Sequence, residues 1–263
     1  MVIGSGSTAP PAGSRCCDPE RCCIDSSHHP AALNSSHHPP RDRLLGPVEQ
    51  VAPTILGATL SHAGVTVRIT EVEAYAGERD PASHAYRGET ARNAVMFGPP
   101  GHLYVYFTYG MHHACNVVCG PAGVGTGALV RAGEVVDGCE LARDRRGARV
   151  RERDLARGPG RLAQALGITL ADGGADLFAN GPARLVLDAY PVELVAAGPR
   201  VGVSQAADVR WRFWIAGDPC VSDYKRSPRA QALIPAASES PGSTAGTRRS
   251  SGGSARRRAG SDS

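Results

Sequence analysis

Two glutamates two residues apart, Glu71 and Glu73, close the run Val65-Thr-Val-Arg-Ile-Thr-Glu-Val-Glu-Ala-Tyr75. Side chains on a strand alternate between faces, so Val65, Val67, Ile69, Glu71, Glu73 and Tyr75 share one parity, and the carboxylates continue an apolar stripe. Burying a carboxylate is expensive unless something pairs it, so each glutamate is either in a structural ion pair or held for function. Parity alone admits both readings, and a β-bulge could also turn the face outward.

A second segment, Gly98-Pro-Pro-Gly-His-Leu-Tyr-Val-Tyr-Phe-Thr-Tyr-Gly-Met-His112, puts Leu103, Val105 and Phe107 on one face and Tyr104 and Tyr106 on the other. Tyr109-Gly110-Met111-His112 then reads as the tip of a hairpin, with a large aromatic at an exposed turn where burial cannot explain it. Seven of the chain's thirteen aromatics fall between Tyr75 and Tyr109. Cross-strand packing explains most such clusters, but not Tyr109 at the turn. Aromatic faces with a protruding wedge suit a flipped nucleobase, which needs rings around it and a filler for the gap left in the stack.

The elements that must position these residues are short. Turn residues separate β-like runs at 65–75, 103–109, 116–119, 128–132, 183–187 and 209–215. Helical pattern is expected at 48–60, around 139–146 and 150–157, and at 159–166, where Pro159 opens the segment and Gly167 follows it. Strand runs in succession, without strict βαβ alternation, predict a single mixed α+β domain over residues 43–227. Residues 1–42 are rich in Ser, Pro, Cys and His and repeat Ser-Ser-His-His-Pro; residues 228–263 are dense in Ser, Gly and Arg. Both are read as disordered tails.

With 41% hydrophobic and 21% charged residues the composition is that of a soluble globular protein, and no apolar run approaches the roughly 18 residues of a membrane span. No basic start followed by an apolar run opens the sequence, so a cytoplasmic location is expected. Cys16, Cys17, Cys22 and Cys23 crowd into the first tail, whereas Cys115, Cys119, Cys139 and Cys220 read as small buried hydrophobes. Residues 241–263 carry five arginines against one aspartate, which accounts for the whole net charge of +4. A basic binding surface on the folded part must therefore be a local face.

Glu71-Val-Glu-Ala-Tyr75, His84, Thr90-Ala-Arg-Asn93, Leu103-Tyr-Val-Tyr106, Tyr109-Gly-Met111 and Asn116 together resemble the alkyladenine (3-methyladenine) DNA glycosylase family. Leu129-Val-Arg-Ala132, Gly158-Pro-Gly-Arg-Leu-Ala-Gln-Ala-Leu166, Arg200-Val-Gly-Val203 and the stretch from Arg212 to Ser222 follow in the family's order, so the resemblance spans about residues 43–226. It implies a curved antiparallel sheet with flanking helices and a protruding hairpin. It further implies excision of a damaged purine from double-stranded DNA, with Glu73 as general base and Arg131 and the Val201 backbone holding the attacking water. Tyr75, His84 and Tyr106 would wall the base pocket, and Asn116 would disfavour the 2-amino group of guanine. Tyr109 would enter the minor groove, with Met111 as a second contact. No cofactor or metal is implied, and a monomer suffices to read one flipped base. Such a protein would work at the nucleoid on 3-methyladenine, 7-methylguanine or hypoxanthine.

Lys225, the only lysine beside 28 arginines, is read as far from the motif cluster around Glu73, which predicts a monofunctional enzyme without the amine nucleophile of a lyase. His112 and His113, and the Cys- and His-bearing first tail, depart from the family pattern. Two rivals stand: a non-catalytic module for distorted DNA or RNA, for which a carboxylate beside phosphates is a liability, and a metal-dependent hydrolase using the amino-terminal Cys and His.

Overall fold

The long strand carrying both glutamates is the one on which the sheet is built. A computed structural model describes residues 40–108, 110–187 and 194–231. In it β1 (Thr59–His62) and β2 (Val65–Tyr75) form a hairpin whose two turn residues, Ala63 and Gly64, both have positive φ, matching the right-handed strand twist. The other strands are β3 (Leu103–Thr108), β4 (His112–Cys119), β5 (Thr126–Asp137), β6 (Ala183–Val186), β7 (Val195–Gly198) and β8 (Arg212–Ile215). Their order is β3-β4-β5-β2-β1-β6, every pair antiparallel, and β8 takes up the edge of β2 at Glu71–Glu73, beyond the end of β1, with β7 on its far side. With α1 (Val48–Val51), α2 (Cys139–Arg146) and α3 (Pro159–Leu166) this is the expected mixed α+β domain around an open sheet.

Two predicted helices shrink. Over 48–60 only α1 and a 3-10 turn, Ala52–Ile55, form before the chain enters β1. Pro53 has no N–H to continue an α-helical ladder, Gly57 turns at φ 81, and Thr59 pairs with Arg68. Over 150–157 there is only the 3-10 turn Glu152–Asp154, because Arg157 is drawn away to Val221 O, to Asp223 and into a backbone bridge with Ala132. By contrast α3 runs as expected, with Pro159 in its first turn and Gly167 capping it at φ 74, its N–H donating to Ala163 O and Gln164 O.

One face of the sheet is the core. Val65, Val67 and Ile69 of β2, Leu103 and Val105 of β3, Cys115, Val117 and Cys119 of β4, and Ala128 and Val130 of β5 pack with Leu162, Ala163 and Leu166 of α3. Burial pushes the Cys115, Cys119 and Cys220 thiols up to about 12, and these cysteines with Cys139 are free and buried, as expected. In β2 the core-facing set is not one parity throughout. After Ile69 it continues with Val72 and Ala74. The register with β5 slips between Ile69 and Glu71, leaving Thr70 without a partner, and slips again so that Arg131 falls between the paired Val130 and Ala132. Such bulges re-aim side chains. They turn Glu71, Glu73 and Arg131 onto the face opposite the core.

The ends of the described region are held. Arg41 forks onto both oxygens of Asp176 at 2.7 Å, and Gln231 exchanges backbone hydrogen bonds with Ser204 and Ala207. The rest of both predicted tails, including every amino-terminal Cys and His, lies outside the described residues. Among the described residues no helix is long and apolar enough to cross a membrane, and no cluster of His, Cys, Asp and Glu could hold a metal.

Candidate active site

On the face away from the core, pairing sets Glu73 beside Leu129, Leu129 beside Asn116, and Asn116 beside Tyr104, one row across β2, β5, β4 and β3. Adjacent strands stand about 4.8 Å apart, so this row fixes the carboxylate relative to the aromatic strand without any loop. The two glutamates, indistinguishable by parity, have different surroundings. Glu71 is saturated: its oxygens accept from Arg212 Nε at 2.5 Å, Ser222 N at 2.7 Å and Ser222 Oγ at 3.1 Å, and Arg131 Nε lies 3.0 Å away. It is the hub of a buried ion network.

Glu73, with no exposed surface, has fewer and weaker partners. Its Oε1 accepts the Val201 N–H at 2.7 Å and its Oε2 the Tyr75 hydroxyl at 2.9 Å, while the nearest arginine nitrogen, Arg131 Nη1, stands 3.6 Å off. Burial first and the Glu73 charge second raise the pKa of the Tyr75 and Tyr106 phenols, so both stay protonated donors at neutral pH. A buried carboxylate with charge-compatible donors, and oxygen lone pairs left over, can orient a water and take its proton.

Beside it is an aromatic box. Tyr75, Ala82, His84, Met96, Tyr104, Tyr106 and Asn116 line one cavity. His84 meets Tyr106 edge-on at 4.6 Å between centroids, and Tyr104 and Tyr106 stack at 5.8 Å with 24° between planes. His84 stands at the open rim, near Tyr104 OH at 3.3 Å, and packing of protein around its ring, then the Arg92 charge, lowers its pKa below the usual 6.5. The loop carrying it is clamped by Asn93, which accepts from Thr90 N and Oγ1 and donates to the His84 and Gly88 carbonyls. Asn116, buried, leans its amide nitrogen toward Tyr104 O at 3.4 Å.

The structure therefore brings together seven residues singled out by sequence: Glu73, Tyr75, His84, Tyr106, Asn116, Arg131 and Val201. It does not bring Met111 to them: Met111 is 69% exposed at the β3–β4 turn and lines a separate groove with His112, His113 and α3. Tyr109 lies outside the described residues. One sequence inference needs correcting. Lys225 is remote along the chain but not in space, since its carbonyl accepts the Gly202 N–H at 3.0 Å, one residue from Val201. Its side chain is exposed.

Sequence reasoning missed three supports. Ser222 and Arg212 complete the Glu71 network, and Asp80 holds Arg200 in an ion pair with no exposed surface on either side chain. A lone aspartate in a loop gives no periodic signal that could have marked it.

The sequence is similar to known proteins. The model of the methylpurine-DNA glycosylase family matches residues 42–219. A provisionally named 3-methyladenine DNA glycosylase of Rhodococcus jostii is 56% identical over 182 residues, 67% of this chain and 81% of its own. One from Corynebacterium glutamicum (strain R), named in the same provisional way, is 51% identical over 185 residues, 70% of this chain and 87% of its own. A third, from Leifsonia xyli, is 54% identical over 202 residues, 72% of this chain and 94% of its own.

Proposed function

This chain belongs to the methylpurine-DNA glycosylase family, and from that premise we propose that it flips an alkylated or deaminated purine from duplex DNA and hydrolyses its N-glycosidic bond, leaving an abasic site. The observation that carries the reading is Glu73: a fully buried carboxylate held by Val201 N–H and Tyr75 OH at the edge of an aromatic box. Glu73 orients a water toward C1′ and takes its proton as the water oxygen bonds to C1′. The C1′–N bond breaks, its electron pair leaving with the purine, and the negative charge of Glu73 stabilises the oxocarbenium-like state between. Arg131, tied by Nε to Glu71 and Ser222, offers Nη1 toward the same oxygen as Val201.

The box supplies substrate choice. Rings at Tyr75, His84 and Tyr106 stack on the extruded base, a contact of about 1–3 kcal/mol per base that tolerates varied edges. Purines methylated at N3 or N7 carry positive charge in the nucleoside, which the faces of tyrosines favour. A neutral His84 adds no opposing charge. Asn116 faces the purine edge and disfavours the 2-amino group of normal guanine; 3-methyladenine and hypoxanthine lack that group, and in 7-methylguanine the positive charge, which weakens the glycosidic bond, offsets the penalty, so all three are the expected substrates. Tyr109 and Met111 fill the gap left in the stack. The enzyme is monofunctional: the exposed Lys225 lacks the apolar enclosure that makes an amine a good nucleophile, and the buried group at the centre is a carboxylate.

The test is release of free base from duplexes carrying hypoxanthine or a methylated purine, with wild type and Glu73→Gln. Release by wild type alone, with lesion binding retained by the variant, supports a hydrolase with Glu73 as base. Tight binding without release by wild type points to a non-catalytic module. Strand cleavage without added base or heat would refute the monofunctional reading, and Lys225→Ala would show whether that amine is responsible.

A further inference from the structure

Arg200, the residue before Val201, is among the largest fully buried side chains. Its two terminal nitrogens donate to both oxygens of Asp80, at 2.5 and 2.9 Å, and Nη1 donates also to Ala74 O at 3.0 Å. The guanidinium lies 4.7 Å from the centroid of Tyr75 and 5.3 Å from that of Trp211, and its Nε has no acceptor. Asp80 in turn accepts the N–H groups of Ala76 and Ala82, fixing the loop that leads to His84.

Stability is a weak reason for such a pair. Two charges taken out of water lose most of what their attraction returns, and apolar replacements of similar volume are often no less stable. What this pair touches is more telling. Both groups that hold Glu73 are its immediate neighbours: the Val201 N–H through the chain, and the Tyr75 ring through its face. Ala74 O, which anchors Nη1, lies between Glu73 and Tyr75 in β2.

We propose that the Arg200–Asp80 pair is the positioning device of the general base, setting together the Val201 N–H and the Tyr75 hydroxyl that aim the Glu73 carboxylate. The inference rests on the reading of Glu73 given above. Neither residue meets the substrate. Their loss lets the carboxylate swing while Asn93 still clamps the loop that carries His84, so it slows chemistry far more than it weakens lesion binding.

The experiment measures three things on the full chain with a hypoxanthine or methylpurine duplex: Kd for the duplex, the single-turnover release rate per binding-competent molecule at saturation, and Tm. For Asp80→Asn the expected result is a rate lowered by about 10- to 100-fold with Kd nearly unchanged, as for a reacting group displaced by a fraction of an ångström. A wild-type rate per competent molecule with a lower Tm would make the pair merely structural and overturn the proposal, as would equal losses in rate and binding. Should Asp80→Asn not fold, Arg200→Lys, which keeps the charge but not the bidentate fork, is read by the same criteria. Wild type and Glu73→Gln run alongside. Absence of release by wild type would sink the general-base reading itself, whereas release that needs Glu73 but not the pair would sink only this inference.

Discussion

Glu71 and Glu73, two residues apart and equally buried, have different surroundings, and on the proposed reading they divide stability from chemistry between them. Glu71 neutralises Arg131 and Arg212 together. Glu71→Gln leaves the Arg212 guanidinium buried without its counter-charge and Arg131 with only the more distant Glu73, and is expected to destabilise the fold by about 3–5 kcal/mol, read as a fall in Tm. Glu73→Gln removes a carboxylate that no arginine contacts within hydrogen-bonding distance, so Tm should hold or rise while base release is lost. Equal losses of stability in the two variants would contradict this division. His84 supplies a pH prediction. Because its pKa is lowered in the fold, the unfolded chain takes up the proton first; the contribution of neutral His84 to stability is complete above the ordinary value and is lost as pH falls through the folded one. Arg92→Gln removes one of the two causes, so the His84 ring resonances should titrate at higher pH in the variant than in wild type. Unmoved resonances would show that Arg92 is not a cause. The residues that the fold gathers around Glu73 were legible in the motifs, but the different surroundings of the two glutamates were not, since Arg212 and Ser222 arrive from 141 and 151 residues downstream.

At the scale of elements, the sheet depends on close approach between β2 and β5. A methyl group at Gly133 would collide with Val67 Cγ1 and the Arg68 carbonyl, beside the bulge that aims Glu71 and Glu73. Gly133→Ala should therefore cost about 1–3 kcal/mol and slow base release, because relief of the clash must shift the bulged register. Loss of stability with unchanged release would separate the bulge from the site. Strands with strong alternation, such as 103–108, were legible because Tyr104 and Tyr106 do lie opposite Leu103 and Val105. The stripe read from Val65 through Glu73 was not one stripe, since periodicity counts residues and a bulge inserts one without any marker of composition. β1 went unread, its first two residues falling in an expected helix, for a related reason: its strand character comes from pairing with β2 and β6, which local pattern does not contain.

For the whole molecule, the described domain holds the candidate site, and the arginines of residues 241–263 carry a prediction about DNA. Removing residues 241–263, with their five arginines, should flatten the dependence of log Kd on log salt by at most about 0.9 per arginine–phosphate contact, with the single-turnover rate at saturation unchanged. Chelation by EDTA and deletion of residues 1–39 should each leave base release intact; loss on either treatment would revive a metal-dependent hydrolase built on the amino-terminal Cys and His.

Thr70 gives the bulge a further meaning. Struck from the chain, it would leave Val65, Val67, Ile69, Val72 and Ala74 in unbroken alternation with Thr66, Arg68, Glu71, Glu73 and Tyr75. It acts as a spacer that moves the lettering of β2 along by one place without changing which letters face inward. A protein lacking it should keep its core and stay folded, yet carry Glu73 about 3.3 Å along the strand, out of step with the Val201 N–H and the row ending at Tyr104.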